Sequence, residues 1–229
     1  MKLGIITGLE IEAAIIHKAA DDLDEARRPL VTSGFGPKNA AAAARALAAE
    51  GATALMSFGF AGGIDPALKV ADLILAELVL DGGGATVSPD PAWQAATAHN
   101  FAELNVIPVT VYSDRVVIAT PEDKARLHEE TGASAVDMES FAVGNVARQL
   151  GLKFLVLRAI LDPADQIIPE SALAGYADDG TISKKDIAGA LMARPQDMPA
   201  MIQLGIDNRR AQQTLGSVAR LGLPLFGLV

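Results

Sequence analysis

The sequence contains no cysteine, which excludes disulfide bonds and thiolate metal sites. The three histidines are scattered over predicted helices, so no metal site is expected. Lysine and arginine total 19 against 28 acidic residues, and a net charge of −9 is poorly suited to neutralising nucleic-acid phosphates. The apolar runs are too short to span a bilayer, and the first residues lack the layout of a signal peptide. We therefore expect a soluble cytoplasmic protein that does not bind nucleic acid.

Apolar runs and helical patterns alternate along the 229 residues, half of which are hydrophobic. This alternation predicts an α/β domain whose sheet carries helices on both faces. Strands are predicted over residues 2–7, 28–36, 53–63, 71–80, 106–113, 115–120, 134–138 and 153–160. Helices are predicted over residues 10–23, 37–51, 91–104 and 139–151, and another begins at Thr120 with a pattern close to a capping box. Residues 163–183 form the one long irregular stretch.

The chain is expected to be one domain, residues 1–229, with a helical C-terminal extension from about residue 184. One face of that extension is apolar, formed by Met201, Leu204, Ala211, Leu215, Val218 and Leu221. Residues 184–229 carry six basic and three acidic side chains, a net charge of +3. Two interpretations stay open, since the apolar face either covers the core or brings the protein to an anionic membrane surface.

Acidic residues follow three predicted strands, at the edge where open α/β sheets bind ligands. Glu10 and Glu12 follow the first strand, Asp137 and Glu139 follow the strand "SAV", and Asp162 follows "KFLVLRAI". Each could singly be a first-turn or cap residue. Their conjunction, beside the glycine-rich "GFAGG" turn, instead indicates a site built from several carboxylates. The sequence lacks a dinucleotide fingerprint, a Walker motif and a G-x-S-x-G elbow.

Three segments resemble the purine nucleoside phosphorylase/nucleosidase superfamily: "GIITGLEIEA", "SFGFAGGIDPALKVADLILAELV" and "AVDMESFAVGNVARQLGLKFLVLRAILDPAD". The small member most similar to them is the 5′-methylthioadenosine/S-adenosylhomocysteine nucleosidase type. Residues 162–204 resemble a narrower group, the hopanoid-biosynthesis-associated phosphorylases, which release adenine from adenosylhopane. The resemblance implies a single-domain nucleoside phosphorylase-type fold with a mixed central sheet flanked by helices.

The resemblance also implies roles for the strand-end residues. Met138 would lie against the ribose, and Glu139 would accept hydrogen bonds from its 2′- and 3′-hydroxyls. Asp162 would be the general acid that assists protonation of purine N7, in a protonated state favoured by partial burial among carboxylates. Glu12 would orient and deprotonate the attacking water, and Arg158 would support this cluster. Asp137 has no implied role other than a structural one.

Three positions depart from the methylthioadenosine nucleosidase pattern. Phe60 and Leu161 each stand where those enzymes carry a serine, and Val116 falls roughly where an aromatic residue packs on the base. Together with Ala61 and Gly62 of the glycine turn, they are predicted to contact the substrate. The exchanges make the lining more apolar, and the segments around 25–32 and 81–100 are short. An apolar 5′ substituent such as hopane would fit these changes, although repacking of the core would explain them as well.

The nucleophile stays open between water and inorganic phosphate. Glu12 favours water, and no arginine precedes the glycine turn, whereas backbone amides at Gly8, Gly34, Gly36 and Phe60 could cradle phosphate. No other cofactor is expected.

We therefore predict an enzyme that cleaves the N-glycosidic bond of an adenine nucleoside, adenosylhopane above all. The alternatives are an enzyme acting on methylthioadenosine or another small purine nucleoside, and a non-catalytic nucleoside-binding protein. A homo-oligomer is expected, with a dimer favoured, and contact with the inner membrane surface is left open.

Overall fold

The computed structural model describes residues 1–175 and 182–228, and this part of the chain contains eight strands and eight α-helices. The strands are β1 (Leu3–Thr7), β2 (Leu30–Ser33), β3 (Ala54–Gly63), β4 (Leu73–Asp81), β5 (Thr86–Val87), β6 (Ile107–Ser113), β7 (Ala135–Asp137) and β8 (Lys153–Asp162). The α-helices are α1 (Glu10–Ala19), α2 (Gly36–Ala49), α3 (Pro91–Asn100), α4 (Pro121–Thr131), α5 (Ser140–Leu150), α6 (Glu170–Leu173), α7 (Lys184–Ala193) and α8 (Met198–Gly222). Short 3₁₀ helices cover Glu25–Arg27, Ala102–Leu104 and Pro195–Asp197.

The strands form one mixed sheet, part of which closes on itself. β1 runs parallel to both β2 and β3, and β3 runs parallel to β8. β8 is antiparallel to β4, which is parallel to β6. β6 is parallel to β7, and β7 returns antiparallel to β3. Closure of β3, β8, β4, β6 and β7 into a ring pairs both edges of these strands, and the mixed α/β architecture confirms the predicted fold class.

Helices bury the two faces of the sheet in separate hydrophobic clusters. One cluster includes α2 and α5, where small residues such as Ala44 and Ala147 pack against the strands. The other includes α1, α3 and α8, with Trp93 and Leu215 completely buried. Since Leu215 and Val218 of α8 have no exposed surface, this half of the C-terminal helix covers the core, as the first interpretation predicts.

Two observations on the described residues bear on whether the protein contacts or crosses a membrane. Leu221 departs from the predicted buried face of α8, because 65% of its surface is exposed. Among residues 1–175 and 182–228, no helix combines the length and the apolar composition that a bilayer crossing requires.

The predicted strand at residues 115–120 is wrong. These residues form a loop between β6 and α4, and Val116 is 61% exposed. The β6 ladder ends because β7 stops at Asp137, whose carbonyl accepts the Asp114 amide at 2.9 Å. The apolar run instead lines a cavity, which an alternating pattern alone does not distinguish from a strand.

The strand predicted over residues 53–63 is confirmed as β3, but the turn expected at its "GFAGG" end is wrong, because these residues lie inside the strand. Gly59 pairs with Arg158 and Gly62 with Asp162 of β8, and a bulge interrupts the register between Ala61 and Gly62. A bulge at this point re-aims the strand end towards the cavity.

Several other predicted boundaries need smaller corrections. The helix predicted over 91–104 ends at Asn100 and continues as a separate 3₁₀ turn. The irregular stretch 163–183 contains α6, while residues 176–181 lie outside the described chain. The predicted helix start at Thr120 is confirmed, since the Thr120 hydroxyl accepts the Asp123 amide at 3.2 Å, but the Asp123 carboxyl accepts that hydroxyl instead of closing a capping box.

Candidate active site

A cavity lies beyond the carboxyl ends of β1, β3, β7 and β8, where the predicted strand-end residues meet. Eleven of the predicted site residues line it: Gly8, Glu12, Phe60, Ala61, Gly62, Val116, Met138, Glu139, Arg158, Leu161 and Asp162. Gly34 and Gly36 are not part of the lining. Asp137 lines the cavity as well, whereas Glu10 is exposed in the first turn of α1. The roles assigned to these residues stay predictions, but their convergence is a property of the fold.

Glu12 is buried although it lies in the first turn of a helix. Its Oε2 accepts the Leu9 amide at 2.8 Å and so caps α1, while its Oε1 reaches across to β3 and accepts the Phe60 amide at 2.7 Å. Burial raises the pKa of the Glu12 carboxyl from 4.5 to about 7, against the opposing effects of Arg158 and the two amides. A carboxyl with a pKa near neutrality suits a general base.

Glycines give the site carboxyls room to approach the backbone. At Gly59, where φ is +153°, a Cβ atom would lie 2.4 Å from Glu12 Oε1. At Gly62, a Cβ atom would lie 3.2 Å from Asp162 Oδ2. Gly59 is therefore required, and Gly62 favoured, by close packing of backbone against a carboxyl group rather than by a turn.

Asp137, Glu139 and Arg158 form a buried group that we call the arginine cluster. Arg158 Nη2 lies 3.0 Å from Asp137 Oδ2 and 3.2 Å from Glu139 Oε2, and it donates to Ser57 at 2.7 Å. Asp137 also accepts the Ser140 hydroxyl. Asp137 thus has the structural role of holding Arg158, as the sequence reading allowed.

Glu139 occupies the N-cap position of α5, but its side chain makes no capping bond there. Its Oε1 instead accepts the Gly36 amide at 3.0 Å, and its Oε2 accepts from Arg158. Burial, opposed by Arg158, raises the pKa of the Glu139 carboxyl. Each carboxylate oxygen has two lone pairs, so hydroxyl groups of a ligand can still donate to it.

Asp162 belongs to a second buried group, the lysine pair of Asp162 and Lys124. Lys124 Nζ lies 2.6 Å from Asp162 Oδ2, and its side chain is completely buried. Burial raises the pKa of Asp162 from 3.8 to about 6, while the ion pair with Lys124 lowers it. Burial favours the protonated form of Asp162 as predicted, but the charged group beside it is the Lys124 cation and not a carboxylate.

The predicted phosphate cradle does not form at two of its three glycines. The Gly34 amide donates to the Thr7 carbonyl at 2.8 Å, and the Gly36 amide donates to Glu139. The Phe60 amide, also considered for the cradle, donates to Glu12. These donors are occupied by the fold itself and are not available to an anion.

Sequence reasoning missed Lys124 and several apolar lining residues. Lys124 lies within the highly charged helix "PEDKARLHEET", a pattern typical of a solvent-exposed helix. Phe35, Ile168 and Leu204 come from separate parts of the chain, and only the fold brings them to the cavity. Leu204 had a signal, since it lies on the predicted apolar face of the C-terminal helix.

Buried carboxyl groups with raised pKa values around one apolar cavity define an enzyme-type site. Residues 22–194, which make up most of the chain, match the family profile of the phosphorylase superfamily. The chain therefore belongs to the phosphorylase superfamily and is an enzyme, as the sequence predicts.

Solved structures share the fold at low sequence identity. The chain is similar to the 5′-methylthioadenosine/S-adenosyl homocysteine nucleosidase of Helicobacter pylori, with a TM-score of 0.69, 17% identity and coverage of 96% of this chain and 95% of that one. A putative nucleosidase of the same kind from Francisella philomiragia gives a TM-score of 0.70, 17% identity and 96% coverage of both chains. Futalosine hydrolase of Helicobacter pylori gives 0.62 and 20% identity over 71% of this chain and 88% of that one.

Proposed function

We propose that this enzyme cleaves the N-glycosidic bond of an adenine nucleoside. The observation that carries the proposal is the placement of Glu12 and Asp162, two buried carboxyl groups with pKa values of about 7 and about 6, on one cavity beside Met138 and Glu139. An acid and a base that both titrate near neutrality are what displacement of a purine from a ribose requires. The related nucleosidase structures support this reaction class.

In the proposed reaction, Asp162 donates its proton to purine N7 as the bond between C1′ and N9 breaks. The bonding electrons leave with the base, which departs as neutral adenine. Water adds to C1′ of the oxocarbenium-like sugar and loses a proton to Glu12. Glu139 holds the ribose through its hydroxyls, which favours the transition state if those hydrogen bonds tighten as charge develops on the ring.

Water is the proposed nucleophile because the described part of the site holds no cation that is free to pair with a phosphate dianion. Within the described residues, Arg158 is engaged by Asp137 and Glu139, and Lys124 is engaged by Asp162. Phosphate would also enter a cavity lined by Glu12 and would be repelled when that carboxyl is ionised. Phosphorolysis stays the alternative, and dependence of the reaction on phosphate distinguishes the two.

Adenosylhopane is the proposed substrate, on the strength of the apolar lining. Phe60, Leu161 and Leu204 contribute apolar side chains to the cavity. The neighbouring Val116 is 61% exposed, so the apolar surface continues from the cavity to the exterior. A triterpenoid attached at the 5′ position could extend along this surface. Methylthioadenosine is the second candidate, since relatives of this fold carry its name.

An apolar stripe on α8 supports a proposed contact with the membrane that would hold such a substrate. Met198, Ile202 and Ile206 recur every four residues and are 46%, 59% and 43% exposed. Arg209 and Arg210 follow on the same helix and are exposed, which suits an anionic surface. Cosedimentation with anionic vesicles, lost in an Ile202→Ser/Ile206→Ser variant, tests this contact. A homodimer stays a prediction that the molar mass in solution tests.

The decisive experiment measures adenine release from detergent-dispersed adenosylhopane, with and without phosphate, beside methylthioadenosine. Release from adenosylhopane without phosphate is the expected result. A requirement for phosphate would overturn water as the nucleophile, and release from methylthioadenosine alone would overturn the substrate. Nucleoside binding without any release would identify a non-catalytic binding protein and overturn the whole proposal.

A further inference from the structure

Lys124 contacts the site residue Asp162, although Lys124 itself does not line the cavity. It lies in the first turns of α4 and is completely buried, which is rare for lysine unless its charge is paired. Its ammonium group donates to Asp162 Oδ2 at 2.6 Å, to the Pro163 carbonyl at 2.8 Å and to the Gln166 carbonyl at 3.1 Å. All three donors of the ammonium group are therefore used.

These three bonds join α4 to the end of β8 and to the segment that follows it. That segment also carries Ile168, which lines the cavity and whose amide donates to the Ala119 carbonyl at 2.9 Å. The position of the Asp162 carboxyl is consequently fixed from two sides, by its own strand and by Lys124. Such bracing from outside the cavity is how a reacting group is held in place before the substrate binds.

We propose that Lys124 is a positioning residue that orients Asp162 and stabilises the carboxylate formed when Asp162 gives its proton to the purine. The proposal rests on the proposed function, because it assigns Lys124 a part in that same proton transfer. As the proton moves from Asp162 to N7, negative charge develops on the carboxyl group 2.6 Å from a fixed ammonium group. Because the ammonium group is already in position, it can stabilise the developing negative charge without any rearrangement of the site during the reaction.

Charged groups on the other elements around Asp162 do not replace Lys124. Arg158 precedes Asp162 on β8 but belongs to the arginine cluster, where it acts on Glu12 and Glu139. Asp165, on the segment after β8, is exposed. Within the described residues, Lys124 is the charged side chain that lowers the pKa of Asp162 against burial. Without it, burial would keep Asp162 protonated at higher pH and make it a weaker acid.

The test compares the pH profile of kcat/KM for adenine release in the wild type, Lys124→Met and Arg126→Met. Arg126 lies on the same helix in an exposed ion pair with Asp123, so its removal is the matched control. Because the proposed reaction needs Asp162 protonated and Glu12 ionised, wild-type kcat/KM should be highest between pH values of about 6 and about 7 and fall on either side. In Lys124→Met the alkaline limb should move to higher pH, and kcat should fall about 10-fold or more. Arg126→Met should match the wild type.

A second comparison separates action through Asp162 from a general loss of structure. Asp162→Asn and Asp162→Asn/Lys124→Met should have the same residual kcat, because Lys124 has no proton transfer left to assist. Lys124→Gln is the reserve if Lys124→Met does not fold, since an amide can still donate to the Pro163 and Gln166 carbonyls.

The possible results separate the role of Lys124 from the proposed function of the enzyme. An unmoved alkaline limb in a folded Lys124 variant, or a further loss of kcat in the double variant, would overturn the role of Lys124 alone. Absence of adenine release by the wild type would overturn the proposed function and this inference together.

Discussion

The arginine cluster and the lysine pair both place a cation beside buried carboxyl groups, but they differ in how many carboxyl groups share that cation. In the arginine cluster, one buried guanidinium serves Asp137 and Glu139, and it also acts on Glu12. In the lysine pair, one ammonium group serves Asp162. A shared cation leaves each carboxyl only partly compensated, and burial raises the pKa of Glu12 and Glu139 as it does that of Asp162. The comparison teaches that burial and the allocation of cations together set the pKa of each carboxyl group in this cavity.

The largest expected effect on activity comes from replacing Asp162, the proposed general acid. Asp162→Asn keeps the shape of the side chain but removes the transferable proton, so kcat should fall by about 100- to 10,000-fold. Asp165→Asn, three residues further on and exposed, should leave kcat unchanged and serves as control. The measurement is single-turnover adenine release. A loss below 10-fold in folded Asp162→Asn would show that another group protonates the base.

The arginine cluster should respond chiefly in stability. Arg158→Met leaves Asp137 and Glu139 buried without their cation, and breaking such a pair costs about 3–5 kcal/mol. Arg126→Met removes an ion pair that is largely exposed, and it should cost less than about 1 kcal/mol. Urea unfolding monitored by fluorescence of Trp93 gives both values. Equal costs for the two variants would contradict the distinction between buried and exposed pairs.

The pH dependence of stability should expose Glu12. Its native pKa of about 7 lies above the ordinary 4.5, so the native state holds the proton more tightly than the unfolded state. Glu12 therefore lowers the free energy of unfolding as pH rises from about 4.5 to 7, by about 3 kcal/mol in total, and has no further effect above that range.

The neutral variant Glu12→Gln should remove that fall while leaving those from Asp162, between 3.8 and about 6, and from Glu139, whose pKa is also raised. The measurement is urea unfolding at a series of pH values, with Glu10→Gln, an exposed neighbour on the same helix, as control. Parallel curves for wild type and Glu12→Gln would mean that Glu12 titrates at its ordinary pKa.

The two regions also differ in how much of them can be predicted from sequence. The carboxyl residues of the arginine cluster, and Asp162, follow apolar strands, so the position of each relative to its strand predicts the shared edge. Lys124 has no such signal. A helix rich in charge is expected to face solvent, and only the tertiary approach of α4 to the end of β8 buries this one lysine.

The same contrast explains the errors in the fold. The alternation of strands and helices predicts the α/β class, because each element buries its own hydrophobic pattern. The loop at residues 115–120 and the glycines of β3 have patterns that the cavity imposes, through apolar lining and through close approach of Glu12. Local propensity is weakest where the backbone is shaped by a site rather than by its own hydrogen bonds.

The smallest expected effect concerns specificity, and it comes from a lining residue outside both charged groups. Leu204→Ala removes apolar surface from the cavity wall without touching the arginine cluster or the lysine pair. We expect kcat/KM for adenosylhopane to fall about 10-fold, the lower end of the effect of one methylene group in an apolar pocket. Methylthioadenosine, which lacks the terpenoid, should lose less than half that factor.

Leu221→Ala is the matched control for this prediction, because Leu221 lies on the same helix and is 65% exposed. Its kcat/KM values for both nucleosides should equal those of the wild type. An equal loss for both nucleosides in Leu204→Ala would mean that Leu204 supports the ribose and base positions shared by the two substrates. In that case the apolar wall would no longer argue for a terpenoid, and specificity would have to be sought among the residues nearer the charged groups.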